Sequence, residues 1–498
     1  MARRTSSDTL FERLWIFPGL ALLAAFLGPL LIPGQVLVEG DLPFFHLPLR
    51  TTLAGLVRAG ELPRWNPWLH GGQPILSNPN YASFYPPTWI ALLSPAYSLQ
   101  LLVVLHGVLA FFGTWKLTRW LGAGPPASAL AATGFAAGPW FLSLADTVNL
   151  YCGLSWLPWV LSWGLGALEE GLEREGRRRR SWLASGALAL QLLAGEPVAV
   201  ILSALSLGIL GLTRHRPRLQ VVRSLACMGI IALGLGAVQL LPAAARVLES
   251  PRRGGIEEDR GIWSAPPSRL AEIAFPRYWG DPQRDEEGLY FGWELHDRDY
   301  PYLEILFFGT PLLVLGLAVC LDPRTAERRG WLALGVTGLF LGLGRFNPLY
   351  PLVGSLPPLS WVRYPEKFLL LTVVSLLLGG ALGLDRLLRS DRPQPSSWRV
   401  PLILAAGLTA VGLAVSIRWW VVPGAVESFV REHSGSPPTP EILQRGAEFL
   451  RWEALVAAAG SLVLLGLLWL GRRRPRGLGL SLLGLTILQF AHYGRGSN

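Results

Sequence analysis

One polar stretch between two apolar runs, Glu39 to Pro87, gathers most of the residues in this chain that could do chemistry: EGDLPFFHLPLRTTLAGLVRAGELPRWNPWLHGGQPILSNPNYASFYPP. Asp41 is a carboxylate able to take a proton from a hydroxyl nucleophile, with Glu39 two positions before it. His46, Trp65, Asn66, His70, Asn78, Asn80 and Tyr85 add the rings and amides that bind sugars, by stacking on apolar ring faces and by hydrogen bonds to hydroxyls. Each group also has a plainer reading. Asp41 stands just before a helical pattern with Pro43 in its first turn, a good N-cap arrangement. Trp65, Trp68 and Trp89 would equally suit a belt at the membrane–water boundary.

Two later clusters could hold an anion. Arg252 and Arg253 follow QLLPAAARVLESP, as phosphate ligands or as solvated loop charges. In RFNPLYPLVGSLPPLSWVRYPEKFLLL, Arg363, Glu366 and Lys367 lie where a loop enters an apolar segment, a costly place for unpaired charge. Arg363 and Lys367 at i, i+4 would make a two-pronged phosphate site at a helix start. The alternative is an internal pair of Glu366 with Arg363 or Lys367. Glu196 and Asp146 are weaker candidates of the same kind. The chain has no phosphate-binding Gly-rich loop, no HExxH, no GxSxG and no metal-ligand spacing among its seven histidines. Asp297-Arg298-Asp299 reads as a loop charge cluster. Cys152, Cys227 and Cys320 form no disulfide or zinc framework.

The elements that position these groups must be membrane helices. Of 498 residues 51% are hydrophobic and 16% charged, with a mean hydropathy of +0.38. Apolar runs recur at bilayer-spanning length, so the expected fold is an all-α polytopic membrane protein. The net charge of +10 sits in arginine clusters between runs, as at Arg177 to Arg180, which reads as a topology signal and contact with the lipid bilayer rather than nucleic-acid binding. About thirteen spans are expected, near 14–33, 88–115, 127–145, 150–168, 181–195, 197–213, 220–242, 302–321, 331–344, 365–384, 400–420, 452–470 and 478–492. The basic connectors place the N-terminus in the cytoplasm and loops 34–87, 243–300, 345–362 and 421–450 outside. The first loop is partly helical: apolar positions Phe45, Leu49, Leu53, Leu56 and Val57 share one face between Leu42 and Ala59, with Gly60 as the stop. The first helix is expected to stay uncleaved. The chain reads as one transmembrane domain, 1–498, with an outer domain expected to follow in a longer native chain.

Taken in order, GDLPFFHLPLR, LPRWNPWLHGGQPILSNPNYASFYPP, QLLPAAARVLESPRRGG, AFPRYWGDP, LGLGRFNPLYPLVGSLPPLSWVRYPEKFLLL and GLDRLL resemble the bacterial YfhO-like membrane protein family, within the GT-C-fold polyprenyl-phosphate-dependent glycosyltransferases. The resemblance implies transfer of a sugar from a polyprenyl-phosphate-linked donor to a cell-envelope glycan acceptor, on the outer face of a bacterial inner membrane. It also implies that Asp41 is the catalytic base. Arg363 and Lys367, with Arg253, would then serve the phosphate, from across a cleft. Many enzymes of that fold carry two adjacent acids in this loop, whereas Gly40 precedes Asp41 here, leaving the use of a divalent cation (Mg or Mn) and the part of Glu39 open. A flippase or transporter of lipid-linked sugar and a non-catalytic envelope-assembly protein are the competing readings.

Overall fold

The computed structural model describes residues 12, 14–32, 40–69, 71–215, 217–250, 261–298, 300–325, 327–357, 359–389, 395–435 and 437–494. The longer described helices in the first half are α1 (Phe17–Leu27), α2 (Leu47–Arg58), α3 (Pro95–Trp120), α4 (Pro125–Ala136), α5 (Val148–Ser155), α6 (Leu157–Ala167), α7 (Arg174–Leu193), α8 (Pro197–Arg214) and α9 (Arg218–Leu248). Those in the second half are α10 (Thr310–Leu321), α11 (Arg328–Gly342), α12 (Leu369–Arg389), α13 (Pro395–Val421), α14 (Ala425–His433), α15 (Pro440–Gly471) and α16 (Leu478–Tyr493). The described strands, β1 (Trp65–Asn66) and β2 (Gln73–Pro74), pair antiparallel within the first loop. Among the described residues, seven helical stretches are long and apolar enough to cross a membrane. The protein is an all-α, multi-pass membrane protein.

Local signals explain where helices start. Ser94 accepts a hydrogen bond from the Tyr97 amide ahead of Pro95, Glu196 from Val198 ahead of Pro197, and Thr439 from Ile442 ahead of Pro440. Each is a polar cap followed by a proline whose missing N–H costs nothing at that position. Several expected boundaries move. The second span begins at Pro95 rather than residue 88, because Pro86 opens a separate 3₁₀ turn, Pro86–Leu92. The third segment breaks after Ala136, where Gly138 and Pro139 interrupt the ladder. The loop expected at 243–300 starts later, since α9 runs through Pro242 to Leu248. The loop expected at 421–450 is largely helical, taken up by α14 and the first turns of α15.

The chain forms two compact units, one of residues 20–121, 144–255 and 498, the other of residues 1–19, 122–143 and 256–497. In the first, α3 packs on α5 and α6, α6 on α7, and α7 on α9, while α2 lies against α3 and the 86–92 turn. In the second, α12 is buried on every face, against α10, α11 and α4. That closeness needs glycine: a Cβ on Gly380 would sit 2.9 Å from the Leu312 Cα, the small-residue contact by which membrane helices approach.

Candidate active site

The first loop is folded around α2. A single wide turn, Leu42–His46, precedes the helix, closed by a bond from the Leu47 amide to the Leu42 carbonyl; such i+5 turns concentrate at functional sites. Asp41 stands at the head of this turn, exposed. Its backbone is right-handed helical rather than extended, and its side chain makes no capping bond, so the capping reading has no hydrogen bond behind it. Gly60 ends the helix with φ +77°, as the sequence pattern suggests.

A second carboxylate lies beside the first. A Cβ on Gly40, which has φ +53°, would fall 2.9 Å from both Cβ and Oδ2 of Asp146. Asp146 precedes α5 and is fixed through Oδ1, which accepts from the Thr147 amide at 2.6 Å and its hydroxyl at 2.9 Å. Burial pushes the Asp146 carboxyl up to about 6, with the Thr147 bonds opposing and the Asp41 charge adding to the rise. The sequence marks Asp146 only as an acid at a span end. Its meeting with Asp41, about 100 positions earlier, has no local signal.

Arg50, two turns into the loop's helical run, is wholly buried and ties these elements together. Its guanidinium donates to the Tyr81 carbonyl, to the Asn80 carbonyl at 3.4 Å and to Asn149 Oδ1 at 3.3 Å. Asn149 is on α5 and also donates to Asn80 Oδ1 at 3.3 Å. One cation therefore joins the helix behind Asp41 to the helix behind Asp146. Burial lowers its pKa to about 10, which leaves it charged at neutral pH.

The other candidates in this loop divide into scaffold and surface. Asn66 is buried, donating to the Tyr81 hydroxyl at 2.7 Å and accepting from the Trp68 amide at 2.9 Å. Asn78 accepts from the Asn80 amide at 3.0 Å. Tyr85 is 1% exposed and bonds to His106 and to Trp156 Nε1. His46 is 4% exposed, and burial together with Arg50 holds its imidazole down to about 3, hence neutral. Asn66, Asn78, Asn80 and Tyr85 thus hydrogen-bond within the fold around the loop, while Asn78 and Asn80 stay half-buried. Trp65 and Trp68 remain exposed, at 53% and 85%. The Trp65 ring lies on Gly72, where a Cβ would meet its Cζ2 at 2.5 Å. Glu39, His70 and Arg253 lie outside the described residues.

In the other unit, Glu366 and Lys367 are buried at the turn that enters α12 and Arg363 is half-buried. Glu366 is paired with neither neighbour expected of it. Its partner is Arg269, also buried, which in addition reaches Glu272 at 3.1 Å and the Leu303 carbonyl. Glu366 further accepts from the Tyr302 amide at 2.9 Å. It is thus a structural carboxylate holding the 300–304 segment. Arg269, 97 positions before Glu366, is the partner sequence reading missed. Lys367 Nζ lies 4.7 Å from the Tyr302 ring centroid and 5.5 Å from that of Tyr364, and Arg363 lies 5.1 Å from the Tyr364 ring, cation–π distances that hold both charges at the helix start. Asp297, of the loop charge triplet, pairs with Arg345. Among the described residues no three His, Cys, Asp or Glu side chains converge on a metal position.

The fold is that of the GT-C membrane glycosyltransferases. Two solved structures of ArnT from Cupriavidus metallidurans share it: the apo form at TM-score 0.52 and 16% identity, over 99% of this chain and 77% of that one, and the form bound to undecaprenyl phosphate at TM-score 0.50 and 15% identity, over 99% and 78%. No family model matches the chain, and no curated protein does.

Proposed function

We propose that this chain is a membrane glycosyltransferase that moves a sugar from a polyprenyl-phosphate carrier to an acceptor outside the cytoplasm, with Asp41 as general base. The observation that carries the reading is the exposed Asp41, free of a capping bond, beside the partly buried Asp146 at the head of a wide helical turn. The fold shared with a protein solved with undecaprenyl phosphate supports the class of donor. In the reaction the acceptor oxygen bonds to the sugar's anomeric carbon, and its proton passes to Asp41. The bond from that carbon to the carrier phosphate breaks, the electron pair leaving with the phosphate. Asp146, fixed by Thr147, stands beside Asp41 as a second carboxylate. Asp41 and Asp146 would hold a divalent cation if one is used, and it would neutralise charge on the leaving group.

The test uses the full chain in sealed vesicles with a polyprenyl-phosphate sugar labelled in the sugar. Transfer of label from the lipid to a water-soluble or envelope acceptor is the expected result. Movement of intact labelled lipid across the bilayer without transfer would replace this reading with the transport one.

A further inference from the structure

At the end of the first unit away from the loop, one cation lies on aromatic rings with two more close by. Lys116, near the end of α3, lies 4.8 Å from the Trp159 ring centroid and 4.9 Å from that of Trp163. The two tryptophans are four residues apart on α6 and so share a face. Trp159 is fixed there, its Nε1 donating to the Leu109 carbonyl at 3.0 Å and packing where Gly113 leaves room. From α7, the charges of Arg180 and Arg179 act on Lys116 with the same sign. Arg180 lies flat across α6 at Gly166, where any Cβ would collide with its guanidinium. Among the described residues, none of these three cations forms an ion pair, while the nearby Glu169 turns to His215 at 3.9 Å. Three like charges gathered from two helices at one end of the unit make a local positive field that attracts an anion.

The surface next to them says what carries that anion. On α3, Leu105, Val108 and Phe112 are exposed at 45%, 37% and 39%. With Lys116 they are spaced by three, four and four, one stripe running up the helix away from the cation. On α7, Trp182 and Leu183 continue from the arginines, exposed at 53% and 38%. A cationic head with an apolar track leading from it is the shape of a phospholipid, and basic pockets between membrane helices bind such head groups. We propose that Lys116, Arg179 and Arg180, walled by Trp159 and Trp163, bind the phosphate head group of an anionic phospholipid whose acyl chain follows Leu105, Val108 and Phe112. The site is independent of the Asp41 reading.

The test is native mass spectrometry of the full chain from mixed micelles of phosphatidylglycerol and phosphatidylcholine, with inorganic phosphate as competitor. The wild-type chain should retain phosphatidylglycerol in preference, and Arg179→Gln with Arg180→Gln should cut that retention by about five-fold per arginine. Phe112→Ser should weaken retention with the cations intact, and inorganic phosphate at millimolar concentration should not displace the lipid. A melting temperature in phosphatidylcholine that matches wild type certifies each variant's fold. Equal retention of the two lipids by wild type, or unchanged retention by the arginine variant, overturns the proposal. Displacement by inorganic phosphate overturns it in favour of a free-phosphate site.

Discussion

Replacing Asp146 with Asn should stabilise the protein at neutral pH and lower its activity, for one reason. The carboxyl's pKa rises from 3.8 to about 6 in the fold, mainly by burial. Between those two values the native state binds more protons than the unfolded chain, so stability falls as pH rises through the window. The rise of about 2 units corresponds to about 3 kcal/mol of stability missing above pH 6, at 1.36 kcal/mol per unit. Asparagine carries no charge, and its Oδ1 can still accept from the Thr147 amide and hydroxyl. Thermal unfolding of wild type and Asp146→Asn in the same detergent, from pH 4 to pH 8, reads the difference. The curves should coincide near pH 4 and separate by up to about 3 kcal/mol by pH 7, the variant being the more stable. Its transfer rate should fall, because the second carboxylate beside Asp41 is lost, a trade of stability for activity. Parallel melting curves across the whole range would refute the placement of an ionising, buried Asp146 beside Asp41.

Asn149→Ala removes the bond between Arg50 and α5 but leaves the Arg50–Tyr81 bond in place. It should lower kcat by about 10- to 100-fold through misplacement of the two carboxylates, with KM for the lipid donor nearly unchanged; steady-state kinetics at varied donor concentration separates the two constants. Arg50→Met leaves the Tyr81 carbonyl without its side-chain donor and should cost about 1–3 kcal/mol, read by thermal unfolding, while Arg50→Lys should restore part of it. Glu366→Gln breaks the buried pair with Arg269 and should destabilise by about 3 kcal/mol, with the activity of the folded fraction retained, since Glu366 holds structure rather than substrate.

Much of the fold is legible in the sequence because lipid imposes it. Apolar length marks the helices, Ser94, Glu196 and Thr439 mark their starts, and the α2 face and its Gly60 stop can be read directly. Boundaries shift where proline chemistry competes with hydropathy, as at Pro86 and Pro139, and where helices extend beyond the membrane, as α9 and α15 do. The site is legible only in part. Asp41 is conspicuous by its position, whereas its partner Asp146 comes from another connector. Arg50 stands in the same polar stretch, but its burial and its reach to Asn149 depend on how α2 packs. Asn66 and Tyr85 are of the right types for binding sugar yet are spent on the loop's own fold, because buried polar groups need partners wherever they lie. Glu366 sits beside two cations in sequence and pairs with a third, Arg269, since the turn into α12 aims it at the 300–304 segment.

The central claim, that Asp41 is the base, is tested most directly by Asp41→Asn in a transfer assay with a polyprenyl-phosphate sugar donor. The side chain is exposed and makes no capping bond, so the substitution should leave the melting temperature within the range of neutral surface changes. The expected result is a folded protein that binds donor and transfers sugar about 10²- to 10⁴-fold more slowly. A folded Asp41→Asn protein with wild-type transfer would contradict it.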